Sequence, residues 1–277
     1  VEHIKQALSK AKSSLDQNPD DHRPLPHAEP AAAATMPGTE KAPEAPKVWT
    51  PRRVELNPRL MARNRIVSFD MSHPNHVAFN LLRTRVRKIQ HDNRWKTIAV
   101  TSPTPACGKT MVALNLAFSL ARAADTRVTL IDLDLKRPAI ARTLGIKPTG
   151  SIGQFLRGNA EANDCFVEVG PNLAIGLNAD HIQESSELIH SPLIGKLIDF
   201  INLSLAPNII LFDLPPMRTC DDALAFMPHA DAAFLVAAAG KTTVPELNEC
   251  EQQIVHLNKF VGVVLNKSEE TREDYYY

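Results

Sequence analysis

Tyrosine is missing from the body of this 277-residue chain: all three copies are its last residues, Tyr275, Tyr276 and Tyr277. Tyrosine is ordinarily spread over cores and surfaces, so its confinement to one end is a feature in itself. Also missing is any uninterrupted apolar run of the about 20 residues that cross a bilayer. No secretory pattern opens the chain. The expectation is a soluble protein that would need a partner to work at a membrane. Neither sign of charge is in excess, because 31 Lys and Arg balance 31 Asp and Glu. That argues against general nucleic-acid binding, which needs a basic footprint, and leaves a local patch open. The four cysteines, Cys107, Cys165, Cys220 and Cys250, are far apart and show no metal-ligand or redox spacing. A reducing compartment suits them. The ten histidines are scattered without a second ligand set.

What is present is an apolar strand, a turn and an apolar helix. Thr97-Ile98-Ala99-Val100 precedes Ser102-Pro103-Thr104-Pro105-Ala106-Cys107-Gly108-Lys109-Thr110, and Met111 to Ala117 follows. This is the context of a phosphate-binding loop. Its backbone N–H groups and the helix N-terminus face phosphate oxygens. Pro105 to Met111 form the nucleotide contact, with Lys109 on the β- and γ-phosphates and the Thr110 hydroxyl on Mg²⁺. Pro103 replaces the usual first glycine, and Ala106 stands where many such loops carry another.

Two further β-branched runs end in aspartate. Arg127 to Ile131 leads into Asp132-Leu133-Asp134-Leu135-Lys136-Arg137-Pro138, and Asn208 to Phe212 into Asp213-Leu214-Pro215-Pro216. Both read as buried parallel strands whose carboxylates emerge at the carboxyl edge of the sheet, where open α/β folds bind ligands. A lone aspartate at a strand end can simply cap the next helix. Three strand ends converging with Gly-Lys-Thr argue for a site. Lys109, Asp132, Asp134 and Asp213 are its candidate catalytic residues; Thr110 and the three aspartates are its candidate metal ligands, directly or through water.

Asp-Leu-Asp-Leu-Lys-Arg-Pro and Phe-Asp-Leu-Pro-Pro resemble the A′ and B motifs of the bacterial tyrosine kinases, built on the scaffold of Min- and Par-type ATPases. The resemblance runs from about Phe79 to Asn266. It implies an ATP- and Mg²⁺-dependent autokinase of capsule and exopolysaccharide systems, with Tyr275, Tyr276 and Tyr277 as phosphorylation sites. It implies that an A′ aspartate orients or deprotonates the incoming tyrosine, a role left open between Asp132 and Asp134. It also implies that Asn266 contacts the adenine base; a strand-ending turn residue is the plainer reading. The partners implied are a membrane-embedded polysaccharide chain-length regulator that stimulates the kinase, further copies of the chain, and a cognate tyrosine phosphatase. The place implied is the cytoplasmic face of the plasma membrane. One family feature is poorly kept. The Glu-x-x-Arg-x-x-Arg helix used for ring assembly has Val77 and Asn80 at its first two positions, and only Arg83 fits. Arg83, Arg85, Arg87 and Lys88 form a basic segment that reads as a solvated face, a subunit contact or an anion site.

Four segments are expected. Residues 1–17 form a short amphipathic helix, 18–66 a Pro- and Ala-rich disordered tether, 67–266 the catalytic domain, and 267–277 an acidic tail. The later half alternates strands at Asn172–Gly176, Ile209–Phe212, Ala232–Ala237 and Phe260–Leu265 with helices at Glu184–Leu203 (interrupted by Pro192), from Asp221, and at Val244–Leu257. That alternation predicts an α/β fold, a mainly parallel sheet flanked by helices. The competing functions are a Min/Par-like positioning switch, disfavoured because no lysine lies between Ser102 and Gly108, and a nucleotide-binding regulator without kinase activity.

Overall fold

The computed structural model describes residues 51–70, 73 and 75–268. The helix expected at 1–17, residues 18–50 of the expected tether, and all but the first two residues of the tail expected at 267–277 lie outside them. Eight strands form one sheet: β1 Arg52–Arg53, β2 Thr97–Thr101, β3 Val128–Asp132, β4 Phe166–Glu168, β5 Leu173–Gly176, β6 Ile209–Asp213, β7 Ala232–Ala238 and β8 Phe260–Asn266. Their spatial order is β1-β4-β5-β3-β6-β2-β7-β8. Every pairing is parallel except β4 with β5.

The helices are α1 Pro58–Arg63, α2 His76–Asn93, α3 Lys109–Ala121, α4 Ile140–Leu144, α5 Ile152–Leu156, α6 Ala162–Cys165, α7 Ser185–His190, α8 Leu193–Ser204, α9 Asp222–Phe226 and α10 Val244–His256. Strands β2, β3, β6 and β7 are buried at every position. Both faces of a parallel sheet are covered by its crossover helices, which is why these strands are continuous apolar runs rather than alternating ones. Successive residues still point to opposite faces. Ile98, Val100 and Leu211 join the core under α3, while Ala99, Ile210 and Phe212 join the core under α8.

Pro192 divides the predicted helix into α7 and α8, as its missing N–H requires. The tether expected over 18–66 is corrected at its end, because residues 51–66 are folded onto the domain. The Asn57 side chain accepts from the Arg59 and Leu60 amides, with Pro58 opening the helix. Proline there starts a helix instead of extending a tether. Met61 and Ile66, each 1% exposed, anchor the segment in the core.

Candidate active site at the carboxyl edge

Strand register assembles the site. Asp132 lies opposite Asp213 at the ends of β3 and β6, and Val100, near the end of β2, lies on the other flank of Asp213. The Leu133 amide bonds the Asp213 carbonyl at 2.9 Å, and the Leu214 amide bonds the Val100 carbonyl at 2.9 Å. The turn after β6 is locked against β2 by the Thr101 hydroxyl on the Pro215 carbonyl (2.7 Å) and the Met217 amide on the Ser102 carbonyl (2.9 Å).

Between β2 and α3 the chain makes the expected loop. Gly108 has φ +93°, a conformation that favours glycine, and a Cβ there would displace the Asn266 amide from the loop. Ala106 has φ +63°, a strain of about 1–3 kcal/mol for a residue with a side chain. Three consecutive loop carbonyls are held from outside. Lys241 Nζ donates to Pro105 O (2.9 Å), Lys267 Nζ to Ala106 O (2.8 Å) and Asn266 Nδ2 to Cys107 O (2.8 Å). Peptide planarity turns each following N–H the opposite way. The amides of Ala106, Cys107 and Gly108 therefore face away from the clamp, and α3 begins directly behind them. Such a nest with a helix N-terminus suits an anion. Met111 lies in the first turn of α3, where its sulfur accepts from Asn115 Nδ2 at 3.1 Å. Cys107 is 1% exposed, and its sulfur lies 3.5 Å from the hydroxyls of Thr104 and Thr242. That is a packing role.

Lys109 lies 2.9 Å from an Asp134 oxygen and 3.2 Å from Asp213 Oδ1. The Thr110 hydroxyl donates to Asp213 Oδ2 at 2.6 Å. Burial works against the ammonium of Lys109, but Asp213 and Asp134 outweigh it and hold its pKa above the ordinary lysine value. Asp132 is fully buried; its Oδ2 accepts from the Ala139 and Ile140 amides, each at 3.0 Å. Burial first, then repulsion from Asp213, pushes the Asp132 carboxyl up to about 7. Burial likewise pushes Asp213 up, more than Lys109 and Thr110 pull it down. Three carboxylates thus share one lysine, and Asp132 Oδ1 is buried without a hydrogen-bond partner. A site this short of positive charge fits a cation.

The four expected metal residues separate into unlike positions. Thr110 and Asp213 touch each other, Asp134 is bound to Lys109, and Asp132 is tied to backbone amides at the start of α4. Among the described residues no three His, Cys, Asp or Glu side chains form a cage of their own for a metal. An Mg²⁺ here would draw its remaining ligands from phosphate and water, as Mg²⁺ commonly does.

Other participants carried no signal in the sequence. Lys241 and Lys267 are surface lysines until the fold brings them to the loop. Asp222, fully buried at the start of α9, accepts from Ser185 Oγ at 2.5 Å and from Ser186 Oγ, and lies 3.5 Å from Lys136 Nζ. It links the loop after β3 to α7.

Residues 98–275 match the family described as the CobQ/CobB/MinD/ParA nucleotide binding domain. The tyrosine-protein kinase CpsD of Streptococcus pneumoniae is 30% identical over 182 residues, spanning 63% of this chain and 77% of that protein. The chain belongs to the bacterial tyrosine kinase family. CpsD of Streptococcus agalactiae is 29% identical over 202 residues, spanning 71% of this chain and 85% of that one. The structure of the VpsO kinase domain shares 27% identity with a TM-score of 0.61, covering 70% of this chain and 96% of that one. The kinase domain of the Escherichia coli tyrosine kinase ETK shares the fold at TM-score 0.68, with 24% identity over 82% of this chain and 87% of that one. In this member of the bacterial tyrosine kinases, the loop and Asp132, Asp134 and Asp213 fall at one sheet edge. Among the described residues no helix is long and apolar enough to cross a membrane.

Proposed function

We propose that this chain is an ATP-dependent protein-tyrosine autokinase that phosphorylates Tyr275, Tyr276 and Tyr277. The observation that carries the reading is the cluster of Lys109, Thr110, Asp134 and Asp213 beside a nest of loop amides. Phosphoryl transfer asks mainly for positioning and charge neutralisation, and this cluster supplies both. Ala106 to Gly108 and the N-terminus of α3 bind the phosphates. Thr110 and Asp213 hold Mg²⁺, which neutralises charge on the β- and γ-phosphates when bound. Lys109, drawn to the phosphates of ATP, leaves Asp134 without its cation. Asp134, 6% exposed, can then meet a tyrosine hydroxyl and accept its proton, whereas Asp132 is wholly buried. Asp132 is the anchor of the loop, and Asn266 braces the nest from behind.

The tail leaves from the correct edge. β8 is parallel to β7, so Asn266 ends it beside the loop. The eleven residues that follow span at most about 35–40 Å, enough to reach a neighbouring copy's site. Each phosphate adds about −1.5 to −2 charge to an acidic tail, so phosphorylation repels it from the carboxylate cluster and loosens an assembly of copies. The regulated process is exopolysaccharide or capsule synthesis or export, with a membrane-embedded chain-length regulator as activator and a tyrosine phosphatase as opponent. A relative named succinoglycan biosynthesis transport protein ExoP, from Rhizobium meliloti, is 32% identical over 181 residues, 22% of its own length. The CpsD relatives are named tyrosine-protein kinases, which supports the kinase part of the reading.

Incubation with labelled ATP and Mg²⁺, in the presence of the activator, tests the proposal. Label on the intact chain that vanishes when residues 275–277 are removed is the expected result. ATP hydrolysis without labelling indicates a positioning switch instead, and nucleotide binding without turnover a regulator.

A further inference from the structure

The far end of α3 carries a second concentration of charge. Its 13 residues place that end about 20 Å from Lys109. Arg83 and Arg87, one turn apart on α2, converge there with Arg122, which follows α3. With Thr84 and Ala123 they line a cavity of about 420 Å³. Arg83 Nη1 donates to the Ser119 carbonyl at 3.2 Å, which fixes its guanidinium at the rim. Arg122 Nη2 is buried and has no hydrogen-bond partner among the described residues. Two acidic groups face the cluster. Asp125 pairs with Arg87 at 3.0 Å, both side chains being exposed, so the pair is weak and easily exchanged. Asp70 attracts Arg122 but does not offset burial and the neighbouring Arg83, which together lower the Arg122 pKa.

A basic helix face in solvent keeps its cations apart and wet. Here three guanidinium groups crowd one concavity that has no carboxylate among its lining residues. Guanidinium forks match the oxygen geometry of phosphate. We infer that the cavity lined by Arg83, Arg87 and Arg122 binds a phosphate dianion, at a site separate from the nucleotide loop. The phosphate has two sources: a phosphotyrosine in the tail of a second copy, which rests on the autokinase reading, or a free phosphate compound.

Calorimetry on the full chain, with the loop saturated by Mg²⁺·ADP, separates them. The titrants are inorganic phosphate, a synthetic peptide of residues 268–277 phosphorylated at Tyr276, and the same peptide unphosphorylated. Arg122→Gln should weaken phosphate or phosphopeptide binding at least tenfold and leave ADP affinity unchanged. Arg87→Gln, at an exposed position that folding does not need, should weaken it severalfold. Phosphopeptide binding tenfold tighter than inorganic phosphate supports the tail; equal binding supports a free compound. The peptide is synthetic, so neither result depends on the chain making phosphotyrosine. Binding that is undetectable, unchanged in both variants, or indifferent to phosphorylation of the peptide with no response to inorganic phosphate overturns the inference.

Discussion

Replacing Asp132 by asparagine removes one of the two fully buried carboxyls of the site, yet keeps an oxygen for the amides of Ala139 and Ile140. The carboxyl is raised from 3.8 to about 7, which at about 1.4 kcal/mol per pH unit is a differential of about 4 kcal/mol. The folded state binds this proton more tightly than the unfolded chain does. Its stabilising contribution is therefore complete below about pH 4 and is lost as pH rises through about 7. Between pH 5 and pH 8 the wild type should lose about 2–3 kcal/mol from this group, and Asp132→Asn should lose none of that part. Urea unfolding followed by circular dichroism, without nucleotide or Mg²⁺, gives the two pH profiles. Histidines and other groups titrate in both proteins, so the difference between the profiles is the readout. Expected is a variant that is less pH-dependent and more stable than the wild type at pH 8. Parallel profiles within about 0.5 kcal/mol would refute the claim that Asp132 is a buried, charge-starved carboxyl.

Lys109→Met leaves Asp134 and Asp213 without their cation. It should abolish ATP binding and destabilise the nucleotide-free chain at pH 8 by about 3–5 kcal/mol; unfolding as in the wild type would contradict the pairing. Gly108→Ala forces a side chain into positive φ and onto Asn266, so Mg²⁺·ATP affinity should fall at least tenfold in a binding titration, with full affinity the adverse result. Thr243→Ala removes the capping box of α10, where Thr243 and Glu246 bond reciprocally. It should cost about 1 kcal/mol in thermal unfolding and leave nucleotide affinity alone; an affinity loss would mean that α10 shapes the site.

Strand ends were the legible part of this chain. A β-branched run closing on Asp132 or Asp213 announces both the strand and the edge where its carboxylate emerges, because parallel strands are apolar throughout and ligands bind beyond their carboxyl ends. The break at Pro192 was equally plain. Three-residue β4 leaves no signal in the sequence because Phe166–Glu168 is too short for periodicity, and it runs antiparallel to β5. The division of labour between Asp132 and Asp134 was illegible for another reason. The strand stops at Asp132, so the two carboxylates leave the alternation of one strand and take their surroundings from α4 and α3. Lys241 and Lys267 reach the loop from more than a hundred residues away in sequence, and no local pattern marks a surface lysine as a clamp. Residues 51–66 read as a continued Pro-rich tether because composition hides what Asn57 and Pro58 do together.

A single-turnover comparison of the wild type with Asp134→Asn decides whether this cluster phosphorylates tyrosine. With saturating Mg²⁺·ATP and the activator present, phosphotyrosine on residues 275–277 is quantified by mass spectrometry. Asparagine at 134 should keep ATP affinity within about threefold and slow phosphotyrosine formation by about 10²–10⁴-fold, the contribution of a general base. Phosphotyrosine appearing at the wild-type rate, or phosphate accumulating on serine or threonine instead, would contradict the assignment.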